Sequence, residues 1–192
     1  MSKIVNVTLV GVGGQGILLT SEILARTAAL AGLDVKKCEI HGMSQRGGSV
    51  SSQVRFGDCV YSPIIPDGET DILVSFEQLE AIRCSGMLKP EGKAVIDTRK
   101  IVPVTVSAGQ QPPVENQDEL LASIYADRAT MVDSVEQAMK VGNVRTANLV
   151  IAGALSKLLD FPAELWHEAI RTRLPAKLVD INIQAFEAGR AL

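Results

Sequence analysis

The chain has few aromatic residues, which limits what can fill its core, and no long apolar run, which excludes a membrane-spanning helix. Only 4% of its residues are aromatic, although 46% are hydrophobic. Aliphatic side chains and glycine must therefore fill the core, as they do where helices pack on a parallel sheet. No stretch approaches the ~20 apolar residues of a membrane span. The N-terminal stretch runs into glycines and lacks a signal-peptide profile, so we expect a cytoplasmic protein.

Cysteine is also scarce, and the charge is nearly balanced. Cys38, Cys59 and Cys84 lie far apart, with no C-x-x-C pair, whereas Fe–S clusters and structural zinc sites use closely spaced thiolates. We therefore expect buried, reduced thiols, and any metal centre to lie on another chain. The net charge of −3, from 19 basic and 22 acidic residues, gives no long-range attraction to phosphate backbones or anionic lipids. Neither nucleic acid nor a membrane is an expected partner.

The order of apolar segments predicts an α/β fold. A β-branched run at Ile4–Val10 predicts a first, central strand, followed by a glycine turn, a helix over Ile17–Ala31 closed by Gly32, and a strand over Val35–Ile40. This unit has the length of a strand–helix–strand crossover. We expect a Rossmann-like, mostly parallel sheet flanked by helices, with a helical C-terminal third. The 192 residues suit one domain, with an α/β body over about 1–132 and trailing helices over about 133–192.

The rest of the chain fills in this outline. Strands are predicted at 49–56 (half-exposed), 71–75, 94–97 and 102–106, with a turn at 89–92. Helices are predicted at 77–84, 119–126, 135–141, 146–159, 163–172 and 178–188.

A glycine motif follows the first strand. It matches G-x-G-x-x-G, and its candidate binding residues are Gly11, Gly13, Gly14, Gln15 and Gly16. Such a turn lets a ligand approach the backbone, and the helix that follows offers unpaired amides to a phosphate. The glycines could equally serve only close packing of strand and helix.

A dinucleotide site would need more than this motif. It requires an acidic residue near the end of the second strand to hold a ribose hydroxyl. Glu39, or less well Asp34, could supply that group.

A second motif, His41-Gly42-Met43-Ser44-Gln45-Arg46-Gly47-Gly48-Ser49, follows the second predicted strand. Open α/β sheets bind ligands at the carboxyl ends of their strands, and arginine holds carboxylates and phosphates through paired hydrogen bonds. Five residues of this loop are therefore candidate binding residues: His41, Ser44, Gln45, Arg46 and Gly47. With only two histidines in the chain, no Ser–His–Asp set is predicted, and we expect neither a catalytic residue nor a metal ligand.

The two motifs together resemble the gamma-type subunits of pyruvate/2-oxoacid:ferredoxin oxidoreductases, and among them the beta subunits of indolepyruvate ferredoxin oxidoreductase. Further C-terminal segments carry the same resemblance across nearly the whole chain: Asn143–Asn148, Gly153–Leu155, Pro175–Lys177, Ile181–Asn182 and Ala185–Gly189.

The resemblance implies an accessory subunit that is inactive alone. The complex would convert a 2-oxoacid, such as the aryl pyruvate indolepyruvate, and CoA to acyl-CoA and CO2 while reducing ferredoxin. Thiamine diphosphate and Fe–S clusters would be held by catalytic partner subunits, and ferredoxin would be an indirect partner. Gln45 and Arg46 would contact substrate, CoA phosphate or the catalytic subunit.

Two alternatives remain at this point. One is a free-standing dinucleotide-binding oxidoreductase built on the glycine motif. The other is a purely structural interaction protein. Without its partner, the chain could self-associate through surface meant for the catalytic subunit.

Overall fold

The computed structural model describes residues 4–41 and 48–192, except for the side chain of His41. These residues form a six-stranded sheet in the order β2-β3-β1-β4-β5-β6. The strands are β1 (Val5–Val12), β2 (Asp34–His41), β3 (Ser49–Gly57), β4 (Thr70–Ser75), β5 (Leu88–Asp97) and β6 (Ala129–Val132). Only β3 runs against its neighbours. The prediction of a mostly parallel sheet is therefore confirmed, and β1 lies in its interior.

The position of β3 distinguishes this sheet from the usual dinucleotide-binding arrangement. There the second strand lies next to the first, whereas here β3 pairs with both and separates them. The chain leaves β2 through residues 42–48 and returns as β3, so β2 and β3 form an antiparallel hairpin at the sheet edge. Gly48 and Ser49, at the end of the connecting loop and the start of β3, lie beside the carboxyl end of β1.

Helices cover both faces of the sheet. Those described are α1 (Ile17–Leu30), α2 (Gln78–Arg83), α3 (Val104–Ser107), α4 (Gln117–Tyr125), α5 (Ser134–Val141), α6 (Ala147–Ser156), α7 (Ala163–Arg173) and α8 (Ala176–Arg190). Among them, none is both long and apolar enough to cross a membrane.

Alternation along the strands divides the core into two layers. In β4, Ile72 and Val74 belong to the larger cluster with α1, α6, α7 and α8, whereas Leu73 belongs to a smaller cluster with α2 and α4. Successive strand residues point to opposite faces, so a strand buried on both faces is apolar throughout. Trp166 and Phe186 are fully buried in the larger cluster, so the C-terminal helices complete the core on the face of the sheet that carries α1.

Glycine ends α1 as predicted. Gly32 has a φ of +82°, and the Leu33 amide donates to the Ala28 carbonyl while the Gly32 amide donates to Ala29. This is the Schellman arrangement, which satisfies carbonyls at the helix end.

Three local predictions are wrong. The stretch over 102–106 is not a strand, because β6 occupies the sheet position beside β5 and the chain after Pro103 makes the single turn α3. The predicted turn at 89–92 lies within β5, which begins at Leu88 and shifts its register against β4. Finally, β3 is not half-exposed: Gln53 is 3% exposed because residues 58–66 fold over its outer face.

Candidate binding site at the carboxyl edge of the sheet

The two sequence motifs meet at one edge of the sheet. The glycine loop follows β1, and the 42–48 loop enters β3 beside it, where Val12 is paired with Ser49. The Gly13 amide donates to the Gly48 carbonyl at 2.9 Å. Parallel strands β1 and β4 both end at this edge, which is where open α/β sheets bind their ligands.

Gly11, Gly14 and Gly16 are each required at their positions for a structural reason. Gly14 and Gly16 have φ of +104° and +86°, in the left-handed region that glycine adopts without strain. A Cβ on Gly11 would lie 2.8 Å from the Phe76 Cβ, so packing between β1 and the end of β4 excludes a side chain there. A Cβ on Gly16 would lie 2.8 Å from the side chain of Asn148. The close-packing explanation therefore holds at Gly11 and Gly16, and Gly14 is open to solvent.

The side chain of Gln15 is used inside the loop. Its Oε1 accepts from the Val12 amide at 2.6 Å, and its Nε2 donates to the Phe76 carbonyl at 2.8 Å. The carboxamide thus ties the end of β1 to the end of β4 and fixes the shape of the glycine turn.

The start of α1 offers backbone donors that no described residue accepts from. No side chain caps this helix, and its first backbone hydrogen bond runs from the Thr20 amide to the Gly16 carbonyl. The amides of the first turn therefore have no helical acceptor, and the helix dipole adds partial positive charge. A cleft of about 560 Å³ lies beside this turn, lined by Gly13, Gly14, Gly16, Ile17, Leu18, Leu19, Val50 and Arg173. The arrangement can bind an anion.

The first residue of β3, Ser49, is held on the face of the sheet that carries α2. Ser49 Oγ donates to Glu80 Oε2 at 2.5 Å, and Arg83 Nη1 donates to Glu80 Oε1 at 3.0 Å. Glu80 is only 3% exposed. Close by, Glu77 caps α2 by accepting from the Leu79 amide, and burial raises the pKa of the Glu77 carboxyl. Both carboxylates have structural partners.

The most polar part of the second motif lies outside the described residues. This holds for the predicted binding residues Ser44, Gln45, Arg46 and Gly47 and for the side chain of His41. Their roles stay predictions. The described residue that follows them, Gly48, accepts from the Gly13 amide of the glycine turn.

Neither acidic candidate for a ribose site lies beside the glycine loop. Glu39 and Asp34 are on β2, which β3 separates from β1; two strand spacings amount to about 10 Å. Glu39 Oε1 accepts from Lys37 Nζ at 2.6 Å. Asp34 begins β2, at the far end from the site, and holds Lys36 and the Val60 amide. The ribose contact that a dinucleotide site needs is therefore not provided by either residue.

The sequence motifs do not include two residues that lie in this region. Asn148, on the first turn of α6, lies against Gly16, and Arg173, at the end of α7, lines the cleft. Both lie more than a hundred positions from the glycine motif in sequence. Asn148 belongs to one of the segments that carry the family resemblance, and this membership could have identified it as a site residue. No feature of the sequence around Arg173 points to the cleft.

The three thiols occupy different surroundings. Cys38 and Cys84 are partly buried, whereas Cys59 is exposed, so the prediction of three buried thiols is wrong for Cys59. Burial raises the pKa of Cys84 to about 11 and also raises the pKa of Cys38. Among the described residues, no group of three or more histidine, cysteine or acidic side chains could hold a metal ion.

Known proteins resemble this chain over nearly its whole length. Residues 6–192 match the family model described as pyruvate ferredoxin/flavodoxin oxidoreductase. The indolepyruvate oxidoreductase subunit IorB of Thermococcus kodakarensis is 40% identical over 96% of this chain and 93% of that protein. Its counterpart in Archaeoglobus fulgidus is 42% identical over 96% of this chain and 92% of that protein.

A solved structure agrees in fold. The keto/oxoacid ferredoxin oxidoreductase gamma subunit of Geobacter sulfurreducens superposes with a TM-score of 0.70 at 26% identity, covering 96% of this chain and 95% of that chain. The fold, the two motifs that meet at the sheet edge and these matches agree, and the chain belongs to the pyruvate ferredoxin/flavodoxin oxidoreductase family.

Proposed function

We propose that this chain is the accessory, gamma-type subunit of a thiamine-diphosphate-dependent 2-oxoacid:ferredoxin oxidoreductase. The assembled complex converts a 2-oxoacid and CoA to acyl-CoA and CO2, and the electrons released by decarboxylation go to ferredoxin. The similarity to indolepyruvate oxidoreductase subunits supports an aryl pyruvate such as indolepyruvate as the 2-oxoacid.

The observation that carries the proposal is the convergence of the two family motifs. The Gly13 amide and the Gly48 carbonyl, 2.9 Å apart, join the glycine loop to the 42–48 loop at the edge where the helix amides of α1 are exposed. This juxtaposition supports one binding site made by both motifs, facing the catalytic subunit and one of its anionic reactants.

The cofactors belong to the partner subunits in this proposal. The chain has three cysteines, fewer than the four thiolates of a cysteine-ligated cluster, and they lie in separate surroundings. Thiamine diphosphate and the Fe–S clusters are therefore assigned to catalytic chains, and ferredoxin is reached through them. No step of the chemistry is assigned to a side chain of this subunit.

Within the site, the roles divide by residue type. Gly11, Gly13, Gly14 and Gly16 form a turn for an anion or a partner backbone, and Gln15 holds its shape.

The side chains of the 42–48 loop make the remaining contacts. Gln45 and Arg46 contact substrate, a CoA phosphate or the catalytic subunit, and His41, Ser44 and Gly47 are further candidate binding residues. These assignments rest on the family motif, to which this sequence conforms.

The dinucleotide-binding alternative lacks the acidic residue that it needs beside the glycine loop. Its acidic residue would have to be Glu39 or Asp34, and both lie on a strand that β3 separates from the glycine loop. It predicts tight NAD(P) or flavin binding by the isolated chain.

The first prediction concerns Arg46. Arg46→Ala in the reconstituted complex should raise the KM for CoA by about tenfold or weaken assembly, because a guanidinium that binds a phosphate or a partner carboxylate is lost. Size-exclusion chromatography measures assembly, and steady-state reduction of a ferredoxin substitute measures the KM. Arg171→Ala is the matched control, since Arg171 is exposed on α7 and pairs only loosely with Glu168 at 3.9 Å. Unchanged assembly together with an unchanged KM for CoA would remove Arg46 from the site.

A further inference from the structure

Asn148 is buried beside the glycine loop with an amide that has no acceptor. The residue is 5% exposed, and its Nδ2 has no hydrogen-bond partner among the described residues. A Cβ built on Gly16 would lie 2.9 Å from that nitrogen, so the amide lies directly against the turn that begins α1. Buried polar groups are nearly always paired, so an unpaired donor at this place points to an acceptor that the described residues do not supply, such as a bound ligand.

The same turn carries backbone donors that also need an acceptor. α1 is a helix of 14 residues with Gly16 as its N-terminal cap and no capping side chain. Its first-turn amides have no helical acceptor, since the first backbone bond is donated by Thr20. Together with the Asn148 amide, they form a set of donors around one turn, which is the chemistry that binds an anionic oxygen.

Arg173 adds a positive charge to the same cleft. It is the one charged side chain among the described residues that line the cleft beside Gly16. Its Nε donates to Glu22 at 2.5 Å, and the two terminal guanidinium nitrogens can donate to a bound anion. Arg26 also binds Glu22, at 3.0 Å. Two guanidinium groups therefore face one carboxylate, and a net positive charge remains for the ligand.

We propose that Asn148 and Arg173 complete an anion-binding site at the start of α1. Its ligand places a phosphate or carboxylate over the Gly16 turn and an apolar arm along Ile17, Leu18 and Val50. The proposal rests on the proposed function, in which CoA supplies phosphates and the 2-oxoacid supplies a carboxylate. It extends the site from the two sequence motifs to the helices α6 and α7.

The first experiment uses the isolated full-length chain and inorganic pyrophosphate as the probe. Isothermal titration calorimetry should give a dissociation constant that rises about tenfold in Asn148→Leu and in Arg173→Gln, because each removes a donor to the anion. Asn148→Asp keeps the shape of the side chain but removes its amide donors and adds a negative charge, so it should weaken binding further. Arg171→Gln, on the same helix outside the cleft, should bind as the unaltered chain does.

A thermal melt separates loss of binding from loss of folding. Asn148→Leu removes an unpaired buried donor while keeping the branched four-atom skeleton of the side chain, so its Tm should be equal to or above that of the unaltered chain. A merely structural asparagine would show the opposite combination: a lowered Tm and an unchanged affinity for pyrophosphate.

The second experiment identifies the source of the anion in the assembled complex. If the site binds a CoA phosphate, Asn148→Leu and Arg173→Gln should raise the KM for CoA about tenfold and leave the KM for the 2-oxoacid unchanged. If it binds the substrate carboxylate, the KM for the 2-oxoacid rises instead. An unchanged pyrophosphate affinity with both KM values unchanged would overturn the proposal. Because the calorimetry needs no partner, it decides the site even if the chain enters no active complex, which would overturn the proposed function separately.

Discussion

Gln15 lies at the centre of the glycine motif, and its carboxamide has a donor or acceptor partner at each end. Oε1 accepts from the Val12 amide and Nε2 donates to the Phe76 carbonyl, so two of the four hydrogen bonds that a carboxamide can make are used to hold the turn. Each internal bond contributes about 1 kcal/mol to stability. The structure therefore favours a positioning role for Gln15, in which it holds the turn ready for whatever Gly13 and Gly14 bind.

The sequence could predict the residues of the glycine turn but not those beneath it. Gly14 and Gly16 were predicted because a turn between a strand and a helix needs left-handed backbone, which is a local property. Asn148, on α6, lies against Gly16, and Arg173, on α7, lines the cleft beside it; only the packing of these helices on α1 brings the two residues to the turn. Contacts between helices so far apart in sequence cannot be predicted from a local sequence pattern.

The thiols give a residue-scale prediction that depends on pH. At about pH 8, Cys84, with its pKa raised by burial to about 11, is thiolate in roughly one molecule in a thousand, whereas alkylation requires the thiolate. Cys59 is exposed. Iodoacetamide should therefore modify Cys59 first, with Cys84 at least about tenfold slower and accelerating as the pH rises towards its pKa.

Peptide mapping by mass spectrometry measures these rates one thiol at a time. In guanidinium chloride the three thiols should react alike, since burial no longer distinguishes them. Equal rates for Cys59 and Cys84 in the folded chain would contradict the buried position of Cys84.

At the scale of secondary-structure elements, β3 shows what limits a prediction from sequence. Its alternation of Val50, Val54 and Phe56 with polar residues predicts that one face is exposed to solvent. On that face, however, Gln53 accepts from the Ile65 amide, and Arg55 donates to the Ser62 and Ile64 carbonyls. The polar side chains hold the 58–66 segment against the sheet. The strand itself was predictable from its period, but its burial depends on a later segment that carries no periodicity.

The crossing of α6 and α8 depends on two glycines. A Cβ on Gly153 would lie 2.0 Å from the Phe186 carbonyl oxygen, and one on Gly189 would lie 1.9 Å from the Val150 carbonyl oxygen. Gly153→Ala or Gly189→Ala should each lower the free energy of unfolding by about 3 kcal/mol or more, because backbone must move and the higher helix propensity of alanine recovers only about 1 kcal/mol.

Urea unfolding followed by circular dichroism measures that loss. Gly86→Ala is the control, since a Cβ there meets nothing within 4 Å, and it should change stability by less than about 0.5 kcal/mol. If Gly153→Ala were as stable as the control, the close approach of the two helices would be wrong.

At the scale of the whole molecule, the carboxyl edge of the sheet brings together the features of the candidate site. The glycine turn, the flanks of the 42–48 loop and the cleft beside α1 lie there. Val102 and Val104, 64% and 68% exposed, line a smaller cavity with Val12 and Ser49 at the same edge. Apolar surface of this kind is typical of a binding interface. We expect the catalytic subunit to cover this edge and the isolated chain to self-associate through it.

The opposite edge of the sheet has a different character. There Asp71 holds the Asn6 amide at 2.7 Å and Lys89 at 2.7 Å, and the pKa of Lys89 is raised, chiefly by its hydrogen bond to Asp71. These charged groups pair within the chain. We therefore propose the carboxyl edge as the binding end of the molecule, where the two motifs, the first-turn amides of α1 and the exposed valines lie.

The central claim is that this chain acts only within a larger oxidoreductase, and co-purification tests it most directly. The tagged full-length chain is purified from its native host, and the eluate is assayed for reduction of a ferredoxin substitute that requires both a 2-oxoacid and CoA. The proposed function predicts a larger iron–sulfur partner in stoichiometric amount, with activity that a panel of 2-oxoacids then assigns to an aryl pyruvate. A chain that elutes alone, without this activity, and that binds NAD(P) or flavin tightly would contradict it.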